Sequence, residues 1–397
     1  MARKATRTAQ GAGTIRQRKN GLWEARYTVG RDPGTGKQLQ KSIYGKTQQE
    51  VRRKLLEATS LVDKGICVSA SSFTVSQWLN TWLREYTGNI KITTSAKYEQ
   101  TIRKHIEPYL GALKLSALRP HHVQTLYNAL ERGTKEKEGL SPKTIKNIHG
   151  VLHRALEQAR RLSYIYANPA TGAILPRMEK KELRPLDDAE IAAFLKTIKG
   201  AEYEILLTVD LFTGMRESEI IGLTWDCIDF EKGTITLRRQ LIRKPGKGEG
   251  FMFAALKNDK TRTITPAPFV MQLLKRRKIE QAQKRLAVGS AWDDREFPGL
   301  VFTNDIGGHL YHNTVVKHFK KALAVAGIPE RRFHDLRHSY AVAALRSGDD
   351  VKTVQENLGH HTAAFTLDQY GHVTEQMRRE SADRMQAFIE RVTADNV

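Results

Sequence analysis

Cysteine is nearly absent from this 397-residue chain, which holds only Cys67 and Cys227. Two cysteines build no disulfide framework, and no CxxC pair suggests a zinc site. Both read as reduced structural thiols. Long apolar runs are missing too; none approaches the ~20 residues of a membrane span. The N-terminal MARKATRTAQ is basic but has no apolar h-region, so it is not read as a secretory signal. These absences lead to the expectation of a cytoplasmic protein with no membrane partner. Internal repeats and low-complexity tracts are also lacking. Acidic residues are outnumbered: 43 Asp and Glu against 65 Lys and Arg leave a net charge of +22. That excess suits a polyanion, either nucleic acid or an acidic membrane surface, and nucleic acid is favoured. The bland alternative is a protein that happens to be basic.

What is present is enough to fold. About 40% of the residues are hydrophobic, and a chain of this length at roughly 100–200 residues per domain makes two to four domains. The charge is unevenly spread. Residues 1–70 hold 15 Lys or Arg and 5 Asp or Glu, which reads as a phosphate-binding module. Within it, residues 14–44 alternate like strands around a Lys-Asn-Gly turn and an RDPGTGK turn. TQQEVRRKLLEATSLVDKG follows with helical spacing, and Thr47 and Glu50 form a capping box. The strands carry Arg16, Arg18, Arg26 and Lys41, the candidate DNA-binding residues, beside Trp23 and Tyr27. A basic sheet can enter a DNA groove. The alternative is a solvated sheet face over an aromatic core.

Residues 66–72 read as a linker, and residues 73–165 as almost entirely helical. The segment SPKTIKNIHGVLHRALEQARRL is basic on its outer face, where Lys143 is a further DNA-binding candidate. Residues 167–184 hold prolines and mixed charge without periodicity, as an interdomain linker would. Beyond them come helices, a β-section (GTITLRRQLIR, FMFAALKND, KTRTITP) and more helices. The expected fold class is multidomain and mainly α with small β-sheets. It comprises an N-terminal three-stranded sheet plus helix over 1–65, a helical bundle over 73–166 and a mixed α/β domain over 180–397.

Four short segments of the third domain belong together. In TGMRESEIIGLTWDCIDF, Gly214 makes a turn, Arg216 opens a helix and Glu219 shares its face three residues on. In ALKNDKTRTI, Lys257 lies at a hairpin with Lys260 and Arg262 behind it. In FHDLRHSYAVAALRSG, His334, Arg337 and His338 fall at i, i+3 and i+4. No HExxH pattern supports zinc there, and a guanidinium between the imidazoles would repel a cation. An anion fits better near a helix start. In ENLGHHTAAFTLDQYGH, His360 stands ten residues before Tyr370. Each segment alone reads as ordinary surface or core; their order and spacing carry the signal.

With TGMRESEI, the hairpin Lys257, HDLRH, LGH and TLDQYGH in that order, the chain resembles the tyrosine recombinases, or phage integrases. It is similar in plan to integrases of temperate phages and conjugative transposons. The resemblance implies an arm-type DNA-binding domain, a helical core-binding (SAM-like) domain and a catalytic domain with a C-terminal helix. Position by position, it implies catalytic roles for Arg216, Lys257, His334, Arg337 and His360, a supporting role for Glu219, and Tyr370 as nucleophile. His361 leaves the register of His360 open by one residue.

Those residue types suit attack on a phosphodiester. Two arginine forks can grip non-bridging oxygens and stabilise the pentavalent transition state. Tyr370 must lose a proton as it attacks, since free tyrosine has a pKa of about 10. His334 is the candidate base or orienting group, Lys257 the candidate acid for the leaving 5′-hydroxyl, and His360 a hydrogen-bond donor to phosphate. The resemblance implies a 3′-phosphotyrosine intermediate, strand exchange and Holliday-junction resolution, with no ATP and no metal. A two-metal transposase would need convergent carboxylates, and none stands out. It further implies double-stranded DNA with core-type and arm-type sites, a homo-tetramer on DNA, an excisionase and a host DNA-bending protein, all at the bacterial nucleoid. Two other readings are a regulator that kept the fold without catalysis and a type IB topoisomerase. The helix expected over 374–394 presents Met385, Phe388 and Ile389 as an apolar edge, for its own domain or for a neighbouring subunit.

Overall fold

The computed structural model describes residues 14–31, 35–63, 73–134, 138–179, 184–246, 250–256, 260–359 and 373–394. The chain divides into two compact units, Met1–Lys180 and Lys181–Val397.

The first unit begins with an antiparallel sheet of β1 (Thr14–Gln17), β2 (Trp23–Arg31) and β3 (Gln38–Gly45). Strand alternation splits its residues between two faces. Ala25 and Tyr27 are buried with Val51 and Leu55 of α1 (Gln48–Asp63), and Trp23 and Ile43 pack at the edge of this core. The register places Arg16, Glu24 and Tyr44 side by side on the opposite face. Thr47 caps α1 as expected, its hydroxyl accepting the Glu50 N–H at 3.2 Å. The Glu50 carboxylate, however, takes the N–H of Lys46 at 2.9 Å.

The helical part of this unit comprises α2 (Val75–Glu85), α3 (Ile92–Thr101), α4 (Glu107–Leu110), α5 (Pro120–Arg132) and α6 (Pro142–Arg161). SAKYEQTIRKHIEPYLG reads as one helix in sequence. In the structure a π-helical turn, Ile102–Ile106, interrupts it just before Pro108. Proline has no N–H to continue the i−4 ladder, so the preceding turn widens. Trp78, Leu79, Ile106, Leu126, Ile148 and Leu152 centre the core. The Trp78 indole donates to the Ala155 carbonyl at 2.9 Å, which removes the cost of burying its N–H. Lys143 stands exposed in the first turn of α6.

The second unit is built around α8 (Glu204–Thr213), which packs on α7 (Asp188–Ile198), α10 (Pro268–Val288) and α12 (Asp335–Arg346). Nearly every α8 side chain is buried, as befits a helix apolar on most sides. The short α9 (Glu217–Ile220) follows, and then β4 (Ile228–Asp229), β5 (Thr234–Leu237), β6 (Arg239–Arg243), β7 (Phe251–Ala255) and β8 (Arg262–Ile264). These strands form two antiparallel sheets, ordered β4-β5-β8 and β6-β7. GTITLRRQLIR alternates like one strand, yet the chain breaks at Arg238. The break lets two successive arginines reach one segment: Arg238 donates to the Asp226 carbonyl at 2.9 Å, and Arg239 donates to Thr224 Oγ1 at 2.7 Å. Then α11 (His312–Val325), α12, α13 (Val351–Leu358) and α14 (Val373–Ala394) complete the unit. On α14, Met385, Phe388 and Ile389 are all exposed. No described helix is long and apolar enough to cross a membrane.

Candidate active site

Gly214 ends α8 in the left-handed conformation (φ 59°) and aims the chain into α9. A side chain there would meet the Tyr340 ring at 2.5 Å, so the turn requires glycine on two counts. Arg216 then sits at the N-cap of α9, with Glu219 at the third helical position. The Glu219 carboxylate accepts the Arg216 backbone N–H on Oε2 at 2.8 Å and the Arg216 guanidinium on Oε1 at 2.7 Å. The same carboxylate is gripped from β8, where Arg262 Nη1 donates to Oε1 at 3.0 Å and Nη2 to Oε2 at 2.6 Å. Glu219 is fully buried. Burial alone would raise its pKa. The Arg262 hydrogen bonds, and then the Arg262 and Arg216 charges, outweigh that and hold it at about 2.

Arg337, in the first turn of α12, is buried at 2% exposure. Its Nη1 donates to the Gly214 carbonyl at 2.7 Å, and its Nη2 donates to the Leu358 carbonyl. Arg216 Nη2 donates to the next carbonyl, that of Gly359, at 3.1 Å. Both motif arginines therefore meet at the C-terminal turn of α13, the residues just before His360. Helix C-termini carry partial negative charge, so guanidiniums suit this end. Gly359 itself is left-handed (φ 64°), which turns the chain there.

His334 is the N-cap residue of α12, one position ahead of the helix, and its ring stands 5.1 Å from that of His338. Its outer edge is exposed. The surrounding protein first, and then His338, Arg337 and Arg332, lower its pKa to about 4, so the ring is neutral at physiological pH. His338 is buried and lowered likewise by burial. Among the described residues no His, Cys, Asp and Glu cluster could hold a metal ion. Lys257, His360, His361 and Tyr370 lie outside the described residues.

The structure adds residues that sequence reading passed over. The sequence places Arg262 behind the Lys257 hairpin, in the KTRTITP stretch of the β-section, and gives it no role in the site. In β8 it alternates with Thr263 and shares the inward side with buried Ile264. Strand alternation with Ile264 is the signal for that inward side, but the acid Arg262 meets there lies 43 residues away in sequence. Asp210 on α8 is fully buried, and no described residue donates to its Oδ1. Burial pushes its carboxyl well above the usual range, against the pull of Arg337. The N-terminal candidates are also arranged by an unforeseen acid. Arg16, Arg18 and Arg26 each pair with the fully buried Glu24, at 2.8, 3.0 and 3.1 Å. Lys41, opposite Tyr27 in the register, is exposed.

The family model described as Phage integrase family matches residues 183–377, and the one described as Phage integrase, N-terminal SAM-like domain matches 74–131. A tyrosine recombinase XerC-like protein of Caldanaerobacter subterraneus subsp. tengcongensis is 30% identical over 384 residues, 92% of this chain and 97% of that protein. The chain belongs to the phage integrase family of tyrosine recombinases. It is thus a site-specific DNA cleaving and rejoining enzyme. An integrase of Streptomyces ambofaciens is 27% identical over 92% of this chain and 93% of its own length. The tyrosine recombinase fold recurs in the Tn1549 transposon integrase, solved with transposon right end DNA, at a TM-score of 0.67 and 24% identity over 79% of this chain and all of that one. It recurs in a lambda integrase dimer bound to a core site, at a TM-score of 0.55 and 17% identity over 90% of this chain and 95% of that one.

Proposed function

We propose that this recombinase integrates and excises a mobile element through a 3′-phosphotyrosine at Tyr370, followed by strand exchange and resolution of a Holliday junction. The observation that carries the reading is the meeting of Arg216 and Arg337 at successive carbonyls, Gly359 and Leu358, directly before His360. It draws three separated motifs into one place. In the proposed step, Arg216 and Arg337 hold the non-bridging oxygens of the scissile phosphate. Tyr370 Oη bonds to phosphorus as the bond to the 5′-oxygen breaks. Neutral His334 accepts or orients the tyrosine proton, and Lys257 protonates the departing 5′-oxygen. His360 donates to a non-bridging oxygen. Glu219 holds Arg216 in place.

The same reading gives the basic sheet with Arg16, Arg18, Arg26 and Lys41 to arm-type sites, and the helical domain with Lys143 to core-type sites. It has four subunits assemble on DNA in the cytoplasm, at the nucleoid, each seating the apolar edge of α14 on a neighbour. An excisionase and a host DNA-bending protein would set direction. The names of similar proteins support this: a lambda integrase tetramer bound to a Holliday junction (TM-score 0.53, 18% identity) and integrases of a transposon and of prophages.

A nicked suicide substrate built from the element's own ends tests the proposal. Wild-type protein should form a covalent adduct that survives denaturant, and joined products should appear from two DNAs. Tyr370→Phe should bind the same DNA and form no adduct. Adduct at wild-type level from that variant would remove Tyr370 from its role. Adduct without joined products would point to a topoisomerase.

A further inference from the structure

Three consecutive carbonyls at the end of α13 each accept from a different arginine. Asn357 takes Arg262 Nε at 2.9 Å, Leu358 takes Arg337 Nη2, and Gly359 takes Arg216 Nη2 at 3.1 Å. Two of these arginines belong to the proposed phosphate grip. The third, Arg262, opens β8, the strand that follows the loop of Lys257. We infer that Arg262 is a positioning residue for strand cleavage, tying Glu219, and through it Arg216, to the C-terminal end of α13.

Each nitrogen of the Arg262 fork is turned to the protein around the site. A guanidinium has five N–H donors. Arg262 commits Nε to Asn357, Nη1 to Glu219 Oε1 and Nη2 to Glu219 Oε2, with its side chain only 10% exposed. The same geometry frees Arg216. Arg262 holds Glu219 fork to fork, one nitrogen per oxygen, and is the stronger partner. Arg216 therefore touches the carboxylate with a single side-chain nitrogen. Without Arg262, Glu219 would be open to a two-pronged grip by Arg216, which would turn that fork away from a phosphate. Two guanidiniums on one carboxylate also leave the cluster net positive, as an anion site requires. From β8, Arg262 reaches two pieces of the site at once: α9 through Glu219 and the α13 end through Asn357.

The inference rests on the cleavage reading above, so the test separates the two. Full-length protein and a suicide substrate are used, with single-turnover cleavage followed from about pH 4.5 to 9 and DNA affinity measured alongside. Arg262→Met should slow cleavage at saturating DNA by about 100-fold, the scale set by ångström-level misplacement of a catalytic group. Its affinity for DNA should stay within about threefold, because no phosphate contact is lost. Glu219, deprived of its main partner, should titrate higher, so an acid limb should enter the rate profile that the wild type lacks. A merely structural loss would lower the active fraction equally at every pH. Arg262→Ala should recover rate when methylguanidinium is added, and Arg262→Lys should retain more rate than Arg262→Met. If Arg262→Met does not fold, Arg262→Lys and the added guanidinium carry the test. Wild-type rate in Arg262→Met, or a DNA affinity loss matching the rate loss, would overturn the inference. Absence of any Tyr370-dependent adduct in the wild type would instead overturn the cleavage reading.

Discussion

Glu219 holds Arg216 at both ends: one carboxylate oxygen takes its backbone N–H at 2.8 Å and the other its guanidinium at 2.7 Å. The position of this arginine is thereby set by an acid three residues along the same short helix. Glu219→Gln keeps the shape and removes the charge between two guanidiniums. Breaking a buried ion pair from one side costs about 3–5 kcal/mol, and urea unfolding at pH 7 should show a loss of that order. The Glu219 pKa is lowered in the folded state, to about 2 from an ordinary 4.5. Its stabilisation is thus present above pH 4.5 and lost as pH falls toward about 2. The gap between wild type and variant should close over that window. A constant gap would mean that shape, and not charge, is what matters.

His334 gives a second titration, of opposite use. Its folded pKa lies near 4, below the free value of 6.5, because burial and the cations Arg337 and Arg332 disfavour the imidazolium. The neutral ring is favoured, so its contribution to stability is present above pH 6.5 and lost as pH falls through about 4. NMR titration of ring-labelled histidines in the DNA-free protein should show the His334 signal moving well below pH 6. A midpoint at or above about 6.5 would show that the surroundings do not disfavour the imidazolium, and a midpoint above about 7.5 would leave His334 largely cationic at work, so that a base role would not stand.

Asp210 is the converse case. Burial raises its pKa, so folding is favoured at low pH and penalised as pH climbs from about 4 toward the folded value. The penalty falls on the charged carboxylate, which burial disfavours against the pull of Arg337 and which an amide does not form. Asp210→Asn should therefore melt no lower than wild type at pH 7, and the two should converge near pH 4. A variant much weaker at pH 7, with the deficit vanishing in acid, would show instead an ionised Asp210 paired with Arg337.

Much of this architecture is legible in the chain before folding is considered. Apolar residues three or four apart outline α2 and α6, and alternation outlines β2, because burial demands those periods. Arg216, Glu219, His334 and Arg337 stand out by order and spacing. Arg262 and Glu24 do not, since a charged residue in a charged stretch reads as solvated. What distinguishes them is tertiary. Arg262 is inward only because β8 pairs with β5 in one register, with Leu237 opposite Arg262. Glu24 is buried only because three arginines from two strands and a turn cover it. The break at Arg238 is hidden for the same reason, since it serves a contact with Asp226 that no local pattern encodes.

Glu24 leads to the last prediction. The exposed face of the N-terminal sheet holds Arg16, Arg18 and Arg26, all fastened to this carboxylate, with Arg18 also lying 5.0 Å over the Tyr44 ring. First the Arg18 hydrogen bond, then those of Arg16 and Arg26, hold Glu24 well below the usual carboxylate range. An acid on a face proposed for DNA opposes raw affinity, since it cancels one positive charge. It does, however, fix three flexible forks in one arrangement, and fixed forks are what base-edge contacts need. Glu24→Gln should trade one for the other. Affinity for arbitrary duplex should rise, and the salt slope should steepen by about 0.9 for each phosphate newly contacted. Affinity for DNA from the element's own ends should fall, narrowing the ratio between the two. Anisotropy titrations on both DNAs at two salt concentrations measure this directly. If affinity rises equally on both, Glu24 only dilutes the charge; if the ratio collapses, it orders the arginines that read the site.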